Sequence, residues 1–448
     1  MQDGQDGAQR QPPGPRLPRL VQTLLFGVRT VSFMERCQRR YGDVLTISML
    51  GMDASVWITD PGAIKSLYSR DRENQVPPGT EPALEPMFGL GSVFLADGAA
   101  HQRKRRLLMP PFHGERMAAW RGRMIDAAER EIDSWSVGRE FALAPRMGSV
   151  TEEVMFEVVF GLGEGERQTR LRQALAHMVN ASMRQAGVLL GFFERGSWPR
   201  RLRLTPWGRL QRSIDRTHEL LGEEIRARRA ATDLSEREDV FSLLVRATDE
   251  NGDPMGDEEL RDELMSLLLA GAESSATTLA WAFDFLLHDP VALDRLRSEL
   301  EREDEDYLEA VLQETMRLRP VPHMTGRQLA SPMKVHGYTL PTGTTVAIPA
   351  YLVHHRPDLY PDPETFRPER FLNQAPGAFT WVPFGGGARR CVGASFATLE
   401  MKSVISTVLR RVSMRPARRE RERIKMRNII LTPAHRTRVV VERIHPRS

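Results

Sequence analysis

Residues 384 to 393 read Phe384-Gly385-Gly386-Gly387-Ala388-Arg389-Arg390-Cys391-Val392-Gly393, and a strongly helical run follows from about Ala394. This stretch sets one cysteine between a glycine-rich turn and a helix start. Backbone N–H groups at a helix N-terminus, with the helix dipole behind them, favour an ionised sulfur, and the ionised sulfur is the form that binds metal. Gly385, Gly386 and Gly387 let the chain turn tightly and approach a flat ligand without Cβ clashes. Arg389 adds a fixed cation two residues before the sulfur. The bland alternative is a buried structural cysteine behind a glycine-rich loop.

The whole chain narrows the setting. It has 448 residues, 41% hydrophobic and 27% charged, with 63 basic and 59 acidic side chains for a net charge of +4. That composition is ordinary for a globular protein able to bury a sizeable core. No Gly/Ser linker, low-complexity tract or internal repeat marks a domain boundary. We therefore expect residues 1–18 to form a flexible Pro-rich N-terminal segment and residues 19–448 a single domain.

The longest apolar runs, Met265 to Ala272 and Ser274 to Phe283, fall short of the roughly 20 residues that span a bilayer. No membrane anchor, secretory signal or transit peptide is expected. Two cysteines, Cys37 and Cys391, do not make a disulfide framework, so a cytoplasmic setting fits. The Arg410 to Arg427 cluster is interrupted by Glu420 and Glu422 and lacks aromatic interleaving. It reads as a solvated surface and not as a nucleic-acid site.

Helical spacing dominates. Asp43 to Thr59 alternates into two short β-like runs, and Asp60-Pro61 reads as N-cap and first helical residue. A long helix is expected from Asp257, whose acidic first turn complements the helix dipole, to Leu287. Another covers Tyr307 to Leu318, and Val335 to Ile348 reads as β-hairpin material. Gly161-Leu-Gly-Glu-Gly lacks the third glycine of a dinucleotide fingerprint and reads as a turn.

Midway along the long helix, Ala270-Gly271-Ala272-Glu273-Ser274-Ser275 places small residues, an acid and hydroxyls where a core helix would carry Leu or Ile. Small residues make room for a groove, and an acid beside an alcohol can relay protons. A solvent-facing Glu273 with serines bonded back to the helix is the plainer reading. Glu314 and Arg317, three apart, meet on one helix face. The histidines show no His-Glu-x-x-His spacing and Cys37 has no paired cysteine, which argues against a zinc centre.

Together these segments resemble the cytochrome P-450 family, of the soluble bacterial type, over nearly the whole chain. The resemblance implies a mainly α single-domain fold with a minor β region and haem b bound through Cys391 as proximal axial ligand. Phe384, Arg389 and Gly393 match the haem-binding loop. His101 and Arg105, Arg327 and Arg389 would hold the two haem propionates, each a carboxylate that calls for a cation. Glu273 and Ser274 match the oxygen-site motif, with Ser274 where most members carry Thr. Glu314, Arg317 and Arg370 match a structural ion-pair network.

The implied activity is a monooxygenase that inserts one oxygen atom of O2 into a lipophilic small molecule, with thiolate ligation promoting O–O cleavage. The chain carries no flavin or iron–sulfur module, so electrons would come from a ferredoxin and its reductase or an equivalent donor. A haem-thiolate isomerase, dehydratase or peroxygenase, and a non-catalytic haem sensor, are the alternatives. By resemblance, Met87 to Phe94, Met183 to Phe193, His323 to Thr325 and Asn428 to Ile430 would line the substrate cavity.

Overall fold

The computed structural model describes residues 11–73, 85, 87–112, 114, 116–163, 165–184, 206–427 and 430–447. They gather into two compact units. The first comprises Met1–Thr80, Pro322–Thr365 and Pro376–Cys391, and the second Glu81–Val321, Phe366–Ala375 and Val392–Ser448.

The first unit is built on a four-stranded sheet. Its strands Val44–Ile47, Ser55–Ile58, Thr345–Ile348 and Thr325–Gln328 lie in that order, and the middle pair runs parallel while the outer pairs are antiparallel. The first two are the β-like runs expected around Leu50 to Asp53. Helix Pro61–Ser69 starts as its sequence requires: Asp60 Oδ2 accepts the Ala63 N–H at 2.7 Å and Pro61 occupies the first turn. Ile64 and Leu67 from this helix pack with Val56, Ile58, Val346 and Ile348 in a buried cluster. That burial fixes the strand bearing Arg327.

Two expectations for this unit need correction. Val335 to Ile348 is not one hairpin: Met333–Val335 pairs with Tyr338–Leu340, while Thr345–Ile348 joins the larger sheet. Gly343, at φ +82°, turns the chain between the two. The Pro-rich segment 1–18 is not loose where it is described. Thr46 donates its N–H to the Pro13 carbonyl and its hydroxyl to that of Pro12, both at 2.8 Å, adding the segment to the edge of the sheet. Residues 1–10 lie outside the described residues.

The second unit is mainly helical. Its spine is helix Asp257–Leu287, with Asp257, Glu258 and Glu259 in its first turn. Helix Leu143–Val154 packs along it, and Ala394–Arg411 packs against both the spine and Arg116–Ile132. Helix Asp306–Leu318 meets the turn Pro368–Phe371. A three-stranded sheet orders Glu140–Ala142, Arg438–Ile444 and Val412–Pro416, and Ile424–Arg427 pairs with Ile430–Pro433.

These C-terminal strands change the reading of the Arg410 to Arg427 cluster as a solvated face. Arg411 and Glu422 are buried. The Arg411 guanidinium lies against Glu129 and Asp133, and Glu422 accepts the backbone N–H groups of His435 and Thr437 at 2.7 and 2.8 Å. Among the described residues no helix is long and apolar enough to cross a membrane.

Candidate haem-thiolate site

In the first unit, Cys391 is exposed whereas Cys37 is buried, so the structural-cysteine reading applies to Cys37 alone. Burial pushes the Cys37 thiol up to about 11, which keeps it protonated. The Cys391 N–H donates to the Phe384 carbonyl at 2.9 Å and closes the loop on itself. Gly385 and Gly387 both sit at positive φ, +66° and +64°, conformations that side chains disfavour.

The neighbouring glycines serve a purpose that the flat-ligand argument does not supply. A Cβ on Gly386 would lie 2.2 Å from the Tyr68 ring, and one on Gly387 would lie 2.5 Å from Asp71 Oδ2. The loop is glycine-rich in part because it packs tightly on helix Pro61–Ser69 and the residues just after it.

Asp71 is the residue that sequence reasoning missed here. It is 3% exposed, and its Oδ2 accepts the Arg389 backbone N–H at 3.1 Å and the Arg327 Nη2 at 3.1 Å, while Arg327 Nε pairs with Oδ1. Arg327 also donates to the Gly386 carbonyl at 3.4 Å. The structure thus brings Arg327, Arg389 and the cysteine loop together at one buried carboxylate. An accessible thiol on a loop that carries Arg389 and is tied to the Arg327 guanidinium through Gly386 is a donor set that fits an iron macrocycle bearing carboxylates. Nothing local in the sequence marks Asp71, because Arg327 lies 256 residues away.

The remaining predicted residues belong to the second unit. His101 and Arg105 lie four residues apart on helix Gly98–Leu108, with His101 buried. The rest of that basic run is engaged elsewhere: Arg103 pairs with Asp249 and Glu259, Lys104 with Glu259, and Arg106 with Glu250. Gly393 is the N-cap of helix Ala394–Arg411.

Glu314, Arg317 and Arg370 come together. Both Glu314 oxygens face the Arg317 guanidinium at 2.7 and 2.9 Å, Oε1 lies 3.4 Å from Arg370 Nε, and Oε1 also accepts the Arg367 N–H at 2.9 Å. Glu314 and Arg317 are fully buried.

On the long helix, Glu273 pairs with Arg427 from strand Ile424–Arg427. Burial raises the Glu273 carboxyl above its usual range, and Arg427 works against that shift. The Ser274 hydroxyl donates to the Ala270 carbonyl at 2.7 Å, and the Ser274 carbonyl accepts from Thr278 at 3.0 Å. Gly271 does not open a groove of its own, since its missing side chain makes room for Met155 Sδ, 3.0 Å from where a Cβ would sit. Thr151 donates to the Ala272 carbonyl at 2.8 Å from the same neighbouring segment.

One turn on, Ser275 donates to Glu400, whose burial lifts its carboxyl to about 8. In the expected cavity segments, Asp262 Oδ2 accepts the Gly91 N–H at 2.9 Å and so anchors residues 87–94 to the long helix. Residues 185–193 and 428–429 of the other segments lie outside the described residues.

The mainly helical architecture and the glycine-framed thiol define a haem-thiolate protein. The family model described as Cytochrome P450 matches residues 12–441, and the chain belongs to that family. Its cofactor is accordingly haem held by a cysteine thiolate, and the family's chemistry is oxidoreductase chemistry of the monooxygenase kind.

The chain is 37% identical to cytochrome P450 135B1 of Mycobacterium tuberculosis over 436 residues, covering 96% of this chain and 91% of the relative. It is 35% identical to cytochrome P450 138 of the same organism, covering 97% of each. Among solved structures it matches retinoic acid-bound cyanobacterial CYP120A1 with a TM-score of 0.82 and 26% identity, over 97% of this chain and 99% of that one.

Proposed function

We propose that this chain inserts one oxygen atom of O2 into a lipophilic small molecule, with Cys391 as the proximal haem ligand and electrons delivered by a separate protein such as a ferredoxin served by its reductase. The observation that carries the reading is the accessible Cys391 thiol in a loop fixed by Asp71, beside Arg327 and Arg389. When bound, the haem supplies the dioxygen-activating chemistry, and its thiolate ligand favours O–O cleavage.

The chain's own residues divide the remaining work. By the family resemblance, Arg327, Arg389, His101 and Arg105 would supply the cations for the haem propionates. Glu273, its carboxyl raised by burial, exchanges a proton with solvent beside Arg427 and passes it along the Ser274 hydroxyl. The exposed Leu90 and Phe94, beside buried Met87, suit an apolar ligand. The retinoic acid bound to CYP120A1 supports that substrate class. Residues 19–448 act as one haem-thiolate domain, placed in the cytoplasm.

Two spectra and one assay test this. The reduced protein with carbon monoxide should show the red-shifted Soret band of thiolate ligation, and Cys391→Ser should lose it. Turnover of a bound lipophilic ligand should then require O2 with a reduced electron donor. Turnover with peroxide alone, at equal rate and without a donor, would mark a peroxygenase, and conversion needing neither would mark an isomerase or dehydratase.

A further inference from the structure

Helix Arg19–Val28 in the first unit buries only Gln22 and Phe26. The Gln22 amide donates to the Pro15 and Leu17 carbonyls at 3.2 and 2.8 Å and accepts the Ser48 N–H at 3.1 Å. Phe26 packs edge-on against Phe33 and Trp57. The inner face is thereby fixed, and the outer face is apolar. On this helix Leu20, Val21, Leu24 and Val28 are 53%, 37%, 57% and 80% exposed, and their spacing places them on one stripe; Leu17, 43% exposed, lies two residues before the helix start. Leu50, 40% exposed, sits beside it, its N–H bonded to the Thr23 hydroxyl at 2.8 Å.

These six are the majority of the ten exposed large hydrophobics among the described residues, so the stripe is a concentration and not background scatter. Charge accompanies it. Between Asp6 and Glu35 the sequence carries no carboxylate but holds Arg10, Arg16, Arg19 and Arg29, and the last three are exposed.

We propose that this face docks the protein onto an anionic lipid surface. The helix lies in the plane of the interface with its leucines and valines at the acyl boundary and its arginines among the headgroups. Ten residues make a helix of about 15 Å, which lies on a bilayer and does not cross it. A second copy of the chain suits the face less well. A two-fold pairing would bring the same arginines against one another, and a stripe one helix wide offers little of the roughly 800 Å² per partner of a stable interface. This surface is independent of the proposed activity and would serve any enzyme whose ligand partitions into lipid.

Co-sedimentation of the full chain with vesicles tests the inference. Binding is expected to phosphatidylcholine vesicles containing phosphatidylglycerol, and weaker binding to phosphatidylcholine alone. A Leu20→Glu/Leu24→Glu double variant should bind about tenfold less, and Arg16→Gln/Arg19→Gln should lose the preference for the anionic lipid. Both pairs are exposed, so an unchanged unfolding midpoint separates a surface effect from misfolding. Equal binding by wild type and the Leu20→Glu/Leu24→Glu variant would overturn the proposal. So would a wild-type dimer that ignores vesicles and becomes a monomer in that variant.

Discussion

Glu314 and Glu273 are carboxylates of the same unit, each facing arginine, and their surroundings assign them opposite tasks. Glu314 has no exposure, and its oxygens face two guanidiniums and a backbone amide, which together hold it as the buried anion. Glu273 is half-buried, its carboxyl raised by burial, and its partner Arg427 is 42% exposed and linked by one contact. A carboxylate enclosed by two guanidiniums and an amide suits a structural role. One with a single solvent-facing partner and a raised pKa can exchange a proton at modest cost.

The sharpest way to break the comparison is at the closed end. Glu314→Ala leaves Arg317 and Arg370 buried without their anion and should cost about 3–5 kcal/mol, as breaking one side of a buried ion pair does. Denaturant unfolding measures the loss directly, and haem content of the purified protein should fall with it. A Glu314→Ala protein of normal midpoint and normal haem content would show that the network is not structural.

Asp71 extends the same logic to the cysteine loop. Asp71→Ala removes the anion from buried Arg327 and the acceptor from the Arg389 N–H, and a loss of about 3 kcal/mol follows by the same mechanism. Because Asp71 also positions the loop, the carbon monoxide spectrum should shift toward that of a weakened or protonated thiolate under conditions where the variant remains folded. Asp71→Asn, which keeps the acceptor for the amide but not the charge, should lie between. If both variants keep a wild-type spectrum, Asp71 does not position the thiolate.

What the sequence made legible follows the same division. The Cys391 loop, the Asp60 cap, the long helix with its acidic first turn and the Glu314–Arg317 pair are local patterns, in which residues within a few positions of each other state the geometry. Asp71, Arg427 and Glu400 were not legible, because each acquires its meaning from a partner 125 to 318 residues away. The glycines show both cases at once. Their turn was readable, but their packing on Tyr68 and Asp71 was not. The C-terminal strands were hidden for a related reason: their arginines read as solvated surface until Arg411 and Glu422 found buried partners.

Glu400 sharpens the comparison from a third side, as a carboxyl whose pKa is raised by burial and lowered in part by the Ser275 hydroxyl, but by no cation among the described residues. Its pKa rises from 4.5 to about 8, with burial as the cause. Between those values the unfolded chain releases a proton that the folded chain keeps. The stability that Glu400 contributes is therefore full below pH 4.5 and falls as pH rises toward 8. Glu400→Gln carries no titrating group and should lose less stability than wild type over that interval. Parallel unfolding midpoints for the two proteins across the interval would mean that Glu400 is ionised in the fold.

The smallest effect on stability belongs to the open end. Arg427 is half exposed, so Arg427→Gln should change the unfolding free energy by no more than about 1 kcal/mol. Its effect on proton exchange should be clearer. Arg427 lowers the Glu273 pKa against the pull of burial, and removing it lets that pKa rise further. The limb of the pH profile of turnover that belongs to Glu273 should move upward in Arg427→Gln, stay in place in Arg427→Lys, and disappear in Glu273→Gln. A limb that moves equally in Arg427→Gln whether residue 273 is Glu or Gln would belong to another group. Glu273 would then be a surface acid like any other, and the contrast with Glu314 would be one of burial alone.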